Sequence, residues 1–128
     1  MFTEKINIST DLSQALIVQK NGDITEIEST DNDPYINIIK SDQSKFKSGW
    51  YKFSFAFNLI EGEIILPKIY FNFGNGYSEH HHWKLFYEAD EIFGMVKIPW
   101  DCNSLRFDVS EKNIKFRTGA IEIIRTSK

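Results

Sequence analysis

Residues 77–83 combine one carboxylate, three consecutive histidines and two large aromatic side chains within seven positions. On an extended strand, side chains alternate between two faces. One face would then carry Tyr77, Glu79, His81 and Trp83, with the two polar residues at an open end of the fold unless a bulge resets the register. A sugar ring stacks on an aromatic side chain while carboxylate and imidazole groups hydrogen-bond to its hydroxyls. The pattern therefore predicts a carbohydrate-binding site, with an ordinary polar strand end as the alternative.

The histidine run 80–82 is also a candidate metal site. His80 and His82 would lie on the face opposite to His81, close enough to bind one ion together. Two ligands do not complete a structural zinc site, and the sequence has no cysteine pair and no HExxH motif. We therefore expect a polar strand end here and no bound metal.

Groups suited to catalysis are sparse. A glycosidase needs two carboxylates about 5–10 Å apart across a cleft, one of them with a raised pKa. The pairs Glu61/Glu63 and Asp90/Glu91 lie in apparent loops, and neither is surrounded by residues that would raise a pKa. No helix start lies near Cys102 to lower its pKa, so a buried, inert thiol is expected. We expect no catalytic residues, with a stand-alone enzyme acting on glycans as a third hypothesis.

Arg106 and Asp108 stand two positions apart in a segment of alternating apolar residues. In a strand their side chains would share the face opposite to Leu105 and Phe107. We interpret them as a structural ion pair on the outer face of a sheet, which contributes little if it is exposed. A ligand role is the alternative.

Composition restricts the class of protein further. The chain has 128 residues, the size of one domain, and 41% of them are hydrophobic, as in globular proteins. Its net charge of −3 argues against nucleic-acid binding, and no apolar run approaches the ~20 residues of a membrane span. A single cysteine permits no intramolecular disulfide, which favours a cytoplasmic location. The turn at residues 74–76 lacks the third glycine of a dinucleotide site, so no cofactor is expected.

Apolar side chains recur at every second residue along most of the chain, which indicates β-strands. The clearest run is Tyr51, Phe53, Phe55, Phe57 and Leu59. The segments predicted as strands are 15–20, 35–40, 50–60, 68–73, 82–88, 93–98, 104–109, 114–116 and 119–126. Short strands separated by frequent turn signals predict an antiparallel, all-β fold. We expect a two-sheet, jelly-roll-like sandwich with at most one or two short helical turns, at 12–18 and 87–92; a closed barrel is the alternative.

Several segments occur in an order that resembles a known domain. They are 49–53 (GWYKF), 67–79 (PKIYFNFGNGYSE), 98–99 (IP), 105–108 (LRFD) and Phe116, Gly119, Ile121 and Ile123. This order resembles the N-terminal β-sandwich accessory domain of bacterial glycosyltransferases that build surface polysaccharides. The resemblance covers 49–125 of a single domain spanning 1–128, whereas 1–48 match no family pattern. In that pattern an aspartate usually stands in place of Asn72, and a proline often replaces Val109.

The resemblance implies a non-catalytic jelly roll similar to carbohydrate-binding modules. Such a domain would hold a glycan or polysaccharide intermediate near a glycosyltransferase catalytic domain, in cis or in trans. We therefore predict a carbohydrate-recognition or substrate-positioning module in the cytoplasm, or held at the inner face of the membrane by a partner. The predicted binding residues are Trp50, Asn72, Tyr77, Glu79, His81 and Trp83. The alternative is a structural or protein-interaction sandwich that binds no sugar.

Overall fold

A computed structural model describes residues 3–12, 16–21, 24–29 and 35–126. Within these ranges the chain forms fourteen β-strands and no helix, and so no helix able to cross a membrane. In chain order the strands are β1 (Thr3–Lys5), β2 (Ile8–Leu12), β3 (Leu16–Asn21), β4 (Ile24–Ser29), β5 (Ile36–Lys40), β6 (Gly49–Ala56), β7 (Asn58–Glu61), β8 (Lys68–Asn72), β9 (His82–Lys84), β10 (Phe86–Glu88), β11 (Glu91–Ile98), β12 (Ser104–Asp108), β13 (Lys115–Arg117) and β14 (Ile121–Thr126).

The strands form three antiparallel sheets. The first sheet has the order β1-β14-β6-β11-β10, and the second has the order β2-β5-β12-β8-β9. A third sheet, β3-β4-β13-β7, adds to the two that were predicted. The predicted antiparallel, all-β sandwich class is confirmed, and the pairings of β6 with β11 and of β12 with β8 provide its two main faces.

Phenylalanine rings join the three sheets through one core. The Phe53 ring of the first sheet lies 4.9 Å from the Phe107 ring of the second, between centroids. Phe55 lies 5.5 Å from Phe107 and 5.9 Å from Phe116, which belongs to the third sheet. All three contacts are edge-on, the geometry that aromatic quadrupoles favour. Because each of these rings is at most 1% exposed, each burial stabilises the fold by about 1.5–3 kcal/mol.

The predicted strand over 50–60 is two strands that belong to different sheets. β6 ends at Ala56, and the next backbone N–H, that of Phe57, donates to the Asp90 carbonyl at 3.0 Å. The chain then enters the third sheet as β7, where Leu59 lies opposite Phe116. Side-chain alternation continues across the break, so the sequence pattern does not reveal it.

The predicted strand over 82–88 is divided in the same way. β9 pairs with β8 of the second sheet, whereas β10 pairs with β11 of the first. Between them the Leu85 N–H donates to the Pro67 carbonyl at 2.9 Å. This run therefore passes from one sheet to the other along the edge of the sandwich.

The helical turn expected at 87–92 is wrong, because these residues form a hairpin. Ala89 and Asp90 connect β10 to β11, with φ values of 50° and 62°. Two consecutive positive φ values are typical of a two-residue type I′ hairpin turn, whose backbone twist matches that of the two strands it joins. Alanine is a poor signal for such a turn, which explains the error. Of the other turn expected, at 12–18, residues 13–15 lie outside the described ranges, and Leu12 and 16–18 are in strands.

Cys102 is buried, as expected. Its side chain is 0% exposed, and its Sγ lies 3.0 Å from the Ser104 carbonyl oxygen. Its backbone exchanges two hydrogen bonds of 2.8 Å with Phe46. Burial raises the pKa of the Cys102 thiol, so the unreactive thiol form is favoured.

We predict that Gly119→Ala strongly destabilises the fold. A Cβ atom at position 119 would overlap the Ala56 carbonyl oxygen at the end of β6. Because backbone atoms cannot move away cheaply, the free energy of unfolding should fall by about 1–3 kcal/mol or more. Urea denaturation measures the change. Ala120→Ser is the control, since that neighbour is exposed; equal stabilities of the two variants would contradict this packing.

Candidate functional site

The outer surface of the second sheet carries polar and aromatic side chains. Register places Arg106 of β12 between Tyr70 of β8 and Asn37 of β5, and places Ser104 opposite Asn72 and Asp108 opposite Lys68. We call this surface the polar face: Asn37, Lys68, Tyr70, Asn72, Ser104, Arg106 and Asp108. Its strands are held by the core rings behind them, so the face is built on rigid elements.

Arg106 is the most constrained side chain of the polar face. Its Nε and Nη2 atoms donate to the two carboxylate oxygens of Asp108 at 2.8 and 3.0 Å. Its Cζ atom also lies 4.6 Å from the ring centroid of Tyr35 and 5.1 Å from that of Tyr70. The Arg106 and Asp108 side chains are 19% and 14% exposed, so solvent screens this pair much less than a surface pair. The guanidinium is therefore fixed in direction while part of it stays accessible.

The loop 73–81 packs onto the polar face through two residues predicted from the sequence. The Tyr77 hydroxyl donates to Asn37 Oδ1 at 2.7 Å and lies 2.7 Å from Ser104 Oγ. The Tyr70 hydroxyl donates a hydrogen bond to Glu79, whose two carboxylate oxygens lie 3.0 and 3.1 Å from it. Burial raises the pKa of both tyrosines, so both keep the proton that these contacts use.

Asn72 organises the start of this loop. Its Oδ1 accepts hydrogen bonds from the backbone N–H groups of Gly74 and Gly76, at 2.8 and 3.0 Å. Both glycines have positive φ, 114° and 83°, which other residues adopt at a cost. An aspartate at this position would offer the same acceptor, so either residue type would keep the loop contact.

The six predicted binding residues occupy three places. Asn72, Tyr77 and Glu79 lie together at the polar face. His81 instead contacts Phe73 and Trp100 beside the loop, with ring centroids 5.0 and 6.4 Å apart. Trp50 and Trp83 form an edge-on pair, 5.9 Å between centroids, elsewhere on the molecule. The binding role of the six residues stays a prediction.

The expected common face of Tyr77, Glu79, His81 and Trp83 is wrong. Strand β9 begins only at His82, so residues 77–81 form a loop and strand parity does not apply to them. The loop backbone is closed by the His81 N–H, which donates to the Ser78 carbonyl at 3.0 Å.

The three histidines 80–82 have different surroundings. His80 is exposed, and His82 Nδ1 lies 2.7 Å from the Glu79 carbonyl oxygen. Within the described ranges no group of three or more His, Cys, Asp or Glu side chains is arranged to hold a metal ion.

Sequence reasoning missed Tyr35 and Tyr70 and placed Arg106 and Asp108 outside the predicted binding set. The spacing of Arg106 and Asp108 was a usable signal, since it puts both on one strand face. Nothing in the sequence indicated that Tyr35 and Tyr70 would enclose the guanidinium, because they come from separate strands.

Comparison with known proteins gives structural matches alone. No protein-family model matches the sequence, and no curated protein is significantly similar to it. A solved family 29 carbohydrate-binding module superposes with a TM-score of 0.56 at 8% identity, over 98% of this chain and 89% of that one. A family 29 module from Piromyces equi gives 0.53 at 9% identity, over 98% and 91%. A lysine variant of such a module, complexed with cellulohexaose, gives 0.51 at 9% identity, over 91% and 79%. At these identities the likeness shows a shared β-sandwich fold.

We predict that Asn72→Ala frees the loop 73–81 from the polar face, whereas Asn72→Asp keeps it. Alanine removes the acceptor shared by Gly74 and Gly76, and each lost hydrogen bond costs about 0.5–1.5 kcal/mol. Amide hydrogen exchange should rise at Gly74, Gly76 and His81 in the alanine variant alone. Equal exchange in both variants would contradict the role given to Asn72.

Proposed function

We propose that this chain is a non-catalytic carbohydrate-binding module and that the polar face holds the glycan. The observation that carries the proposal is the Arg106 guanidinium, enclosed by Tyr35 and Tyr70 and oriented by both oxygens of Asp108. Ordering flexible side chains on binding costs about 0.5–1.5 kcal/mol each. Because Arg106 is already fixed, little of this cost remains when a ligand arrives.

The chemistry of the polar face suits sugar hydroxyls, which both donate and accept hydrogen bonds. Arg106, Lys68 and the Nδ2 group of Asn72 supply donors, whereas Asp108 and the neighbouring Glu79 supply acceptors, since a carboxylate can accept several hydrogen bonds. The half-buried Tyr35 ring adds aromatic surface beside them. Donors, acceptors and a ring on one rigid surface are the combination that carbohydrate sites use.

The solved modules support the same assignment by analogy. Variants of a family 29 module replace an arginine and an aspartate two positions apart, in work probing how that module recognises its ligand. Arg106 and Asp108 have the same residue types and the same spacing. Other variants of such modules replace lysine, tyrosine and glutamate residues. These are the residue types found here at Lys68, Tyr70 and Glu79.

The sequence resemblance supports a proposal for the biological setting. We propose that the module works with a bacterial glycosyltransferase that builds surface polysaccharide, in the cytoplasm or at the inner face of the membrane through that partner. Holding the growing glycan would raise its effective concentration at the catalytic domain. The distinctive segments that support this setting, 67–79 and 105–108, contain most of the polar face and its loop.

A structural or protein-interaction module is the second candidate function. Large apolar side chains on the surface favour it, since Phe86 is 64% exposed and Trp100 is 63% exposed. Exposed apolar groups of this size mark interaction sites when they lie in one patch.

Arg106→Lys tests the assignment to the polar face. Lysine keeps the charge but cannot form the planar, bidentate contact with Asp108. We expect binding to cellohexaose and to bacterial surface-polysaccharide fragments to weaken about 10-fold to 100-fold, the equivalent of about 1.4–2.8 kcal/mol. Isothermal titration calorimetry measures the affinity, and a thermal melt checks that the variant is folded.

Arg117→Lys is the matched control, because Arg117 is an exposed arginine that contacts Glu26 on the third sheet. Its affinity for the glycan should equal that of the unmodified chain. The assignment fails if no glycan of either class binds at millimolar concentration, or if both lysine variants bind equally well.

A further inference from the structure

An open groove of about 750 Å³ lies along the edge of the sandwich, where the chain passes from β9 of the second sheet to β10 of the first. Its lining includes Lys52, Trp83, Lys84, Phe86, Phe93 and Met95. We call it the lysine-rimmed groove. Its volume falls within the roughly 300–1,000 Å³ of ligand sites.

Strand register explains why apolar side chains face solvent here. In β11 Phe93 and Met95 lie between the buried Ile92 and Val96, on the opposite face, and Met95 lies opposite Lys52 of β6. Phe86 pairs with Phe93 across the hairpin, and their ring centroids are 6.1 Å apart. Phe86 is 64% exposed and Met95 is 41% exposed. This apolar surface is contiguous. Contiguous exposed apolar surface marks interaction sites, whereas single exposed apolar residues do not.

The groove is positively charged although the chain as a whole carries −3. Lys52 and Lys84 stand on its rim together with His82, and none of the described residues that line it is acidic. Lys97 lies nearby, its Nζ 5.8 Å from the Trp50 ring. The nearest carboxylates lie beyond the lining: Glu88 and Glu91 at the tip of the hairpin, and Glu122 of β14, which lies opposite Ser54 of β6. An occupant with negative charge is therefore favoured.

The side chains of the groove argue against a sugar as its occupant. Its lysine ammonium groups can only donate hydrogen bonds, so sugar hydroxyls would find donors here but few acceptors. The Trp83 ring is engaged edge-on by Trp50 and packs against the core, which leaves less of it free for stacking. The polar face, by contrast, offers both donors and acceptors. The two surfaces therefore fit different ligands.

We propose that the lysine-rimmed groove docks an acidic polypeptide segment of a partner protein, which places bulky apolar side chains on Phe86, Phe93 and Met95. Carboxylates flanking those side chains meet Lys52 and Lys84. Apolar burial supplies the affinity and the charges select the partner and speed its association. This site adjoins the polar face along β9, where His82 pairs with Tyr70, but the two share no residue, and the proposed docking does not depend on glycan binding.

Nuclear magnetic resonance with the full chain tests the proposal. The probe is a synthetic 12-residue peptide in which glutamate or aspartate alternates with leucine or phenylalanine. One matched peptide replaces the apolar residues by serine, and a second replaces the acids by lysine. Amide signals of 84–86 and 93–95 should shift with the first peptide, and each matched peptide should bind at least about tenfold more weakly.

Variants locate the site independently of the peptide chemistry. Lys52→Glu with Lys84→Glu should weaken binding of the acidic peptide at least about tenfold, and Met95→Ser should weaken it about threefold or more. Lys45→Glu with Lys112→Glu changes the net charge equally at exposed lysines outside the lining and should leave binding unchanged.

Several outcomes would overturn the proposal. Equal binding of the three peptides would show that the groove lacks the stated selectivity. If both lysine-pair variants lost the same amount of peptide affinity, the loss would be explained by net charge alone and not by the groove. Shifts at 84–86 and 93–95 caused by cellohexaose would assign the groove to sugar, and binding to anionic phospholipid vesicles without peptide binding would assign it to a membrane surface. None of these results alters the Arg106 test of glycan binding.

Discussion

Edge-on contact between phenylalanine rings of facing sheets determines which residues look outward. With Phe53 against Phe107 and Phe55 against both Phe107 and Phe116, each strand has one face committed to the interior. The opposite face is then fixed by alternation alone. Arg106 points outward on one side because Phe107 points inward, and Met95 points outward on the other because Val96 points inward. Both candidate surfaces therefore result from the packing of the opposite strand faces into the core.

The two surfaces differ in what they offer a ligand. On the polar face, donors and acceptors are already paired with one another, so a ligand meets groups whose directions are set. In the lysine-rimmed groove, apolar rings are bordered by cations without acidic neighbours in the lining. A small sandwich can thus present two chemistries on neighbouring surfaces. They adjoin along β9, where the ring of His82, a residue of the groove, lies 5.5 Å from the Tyr70 ring of the polar face.

Period-two patterning was enough to predict β6, β8, β11 and β12, since each has one buried face. It failed where the chain changes sheet without changing its alternation, at Phe57 and at Leu85. It also failed over 77–81, where backbone hydrogen bonds close a loop and strand parity has no meaning. Contacts such as Tyr70 with Glu79, or Tyr35 with Arg106, join residues from separate elements. Local sequence carries no signal for these contacts, so half of the predicted binding set lies away from the polar face.

The buried thiol of Cys102 lies two residues before Ser104 of the polar face and donates to its carbonyl group. A reagent that alkylates thiols can reach it only when the surrounding strands separate, so the labelling rate counts such openings. Any molecule that binds the closed form makes those openings rarer in proportion to its occupancy. The rate at which Cys102 is alkylated, measured by mass spectrometry, should therefore fall in the presence of any molecule that binds the folded chain, whatever the identity of that molecule.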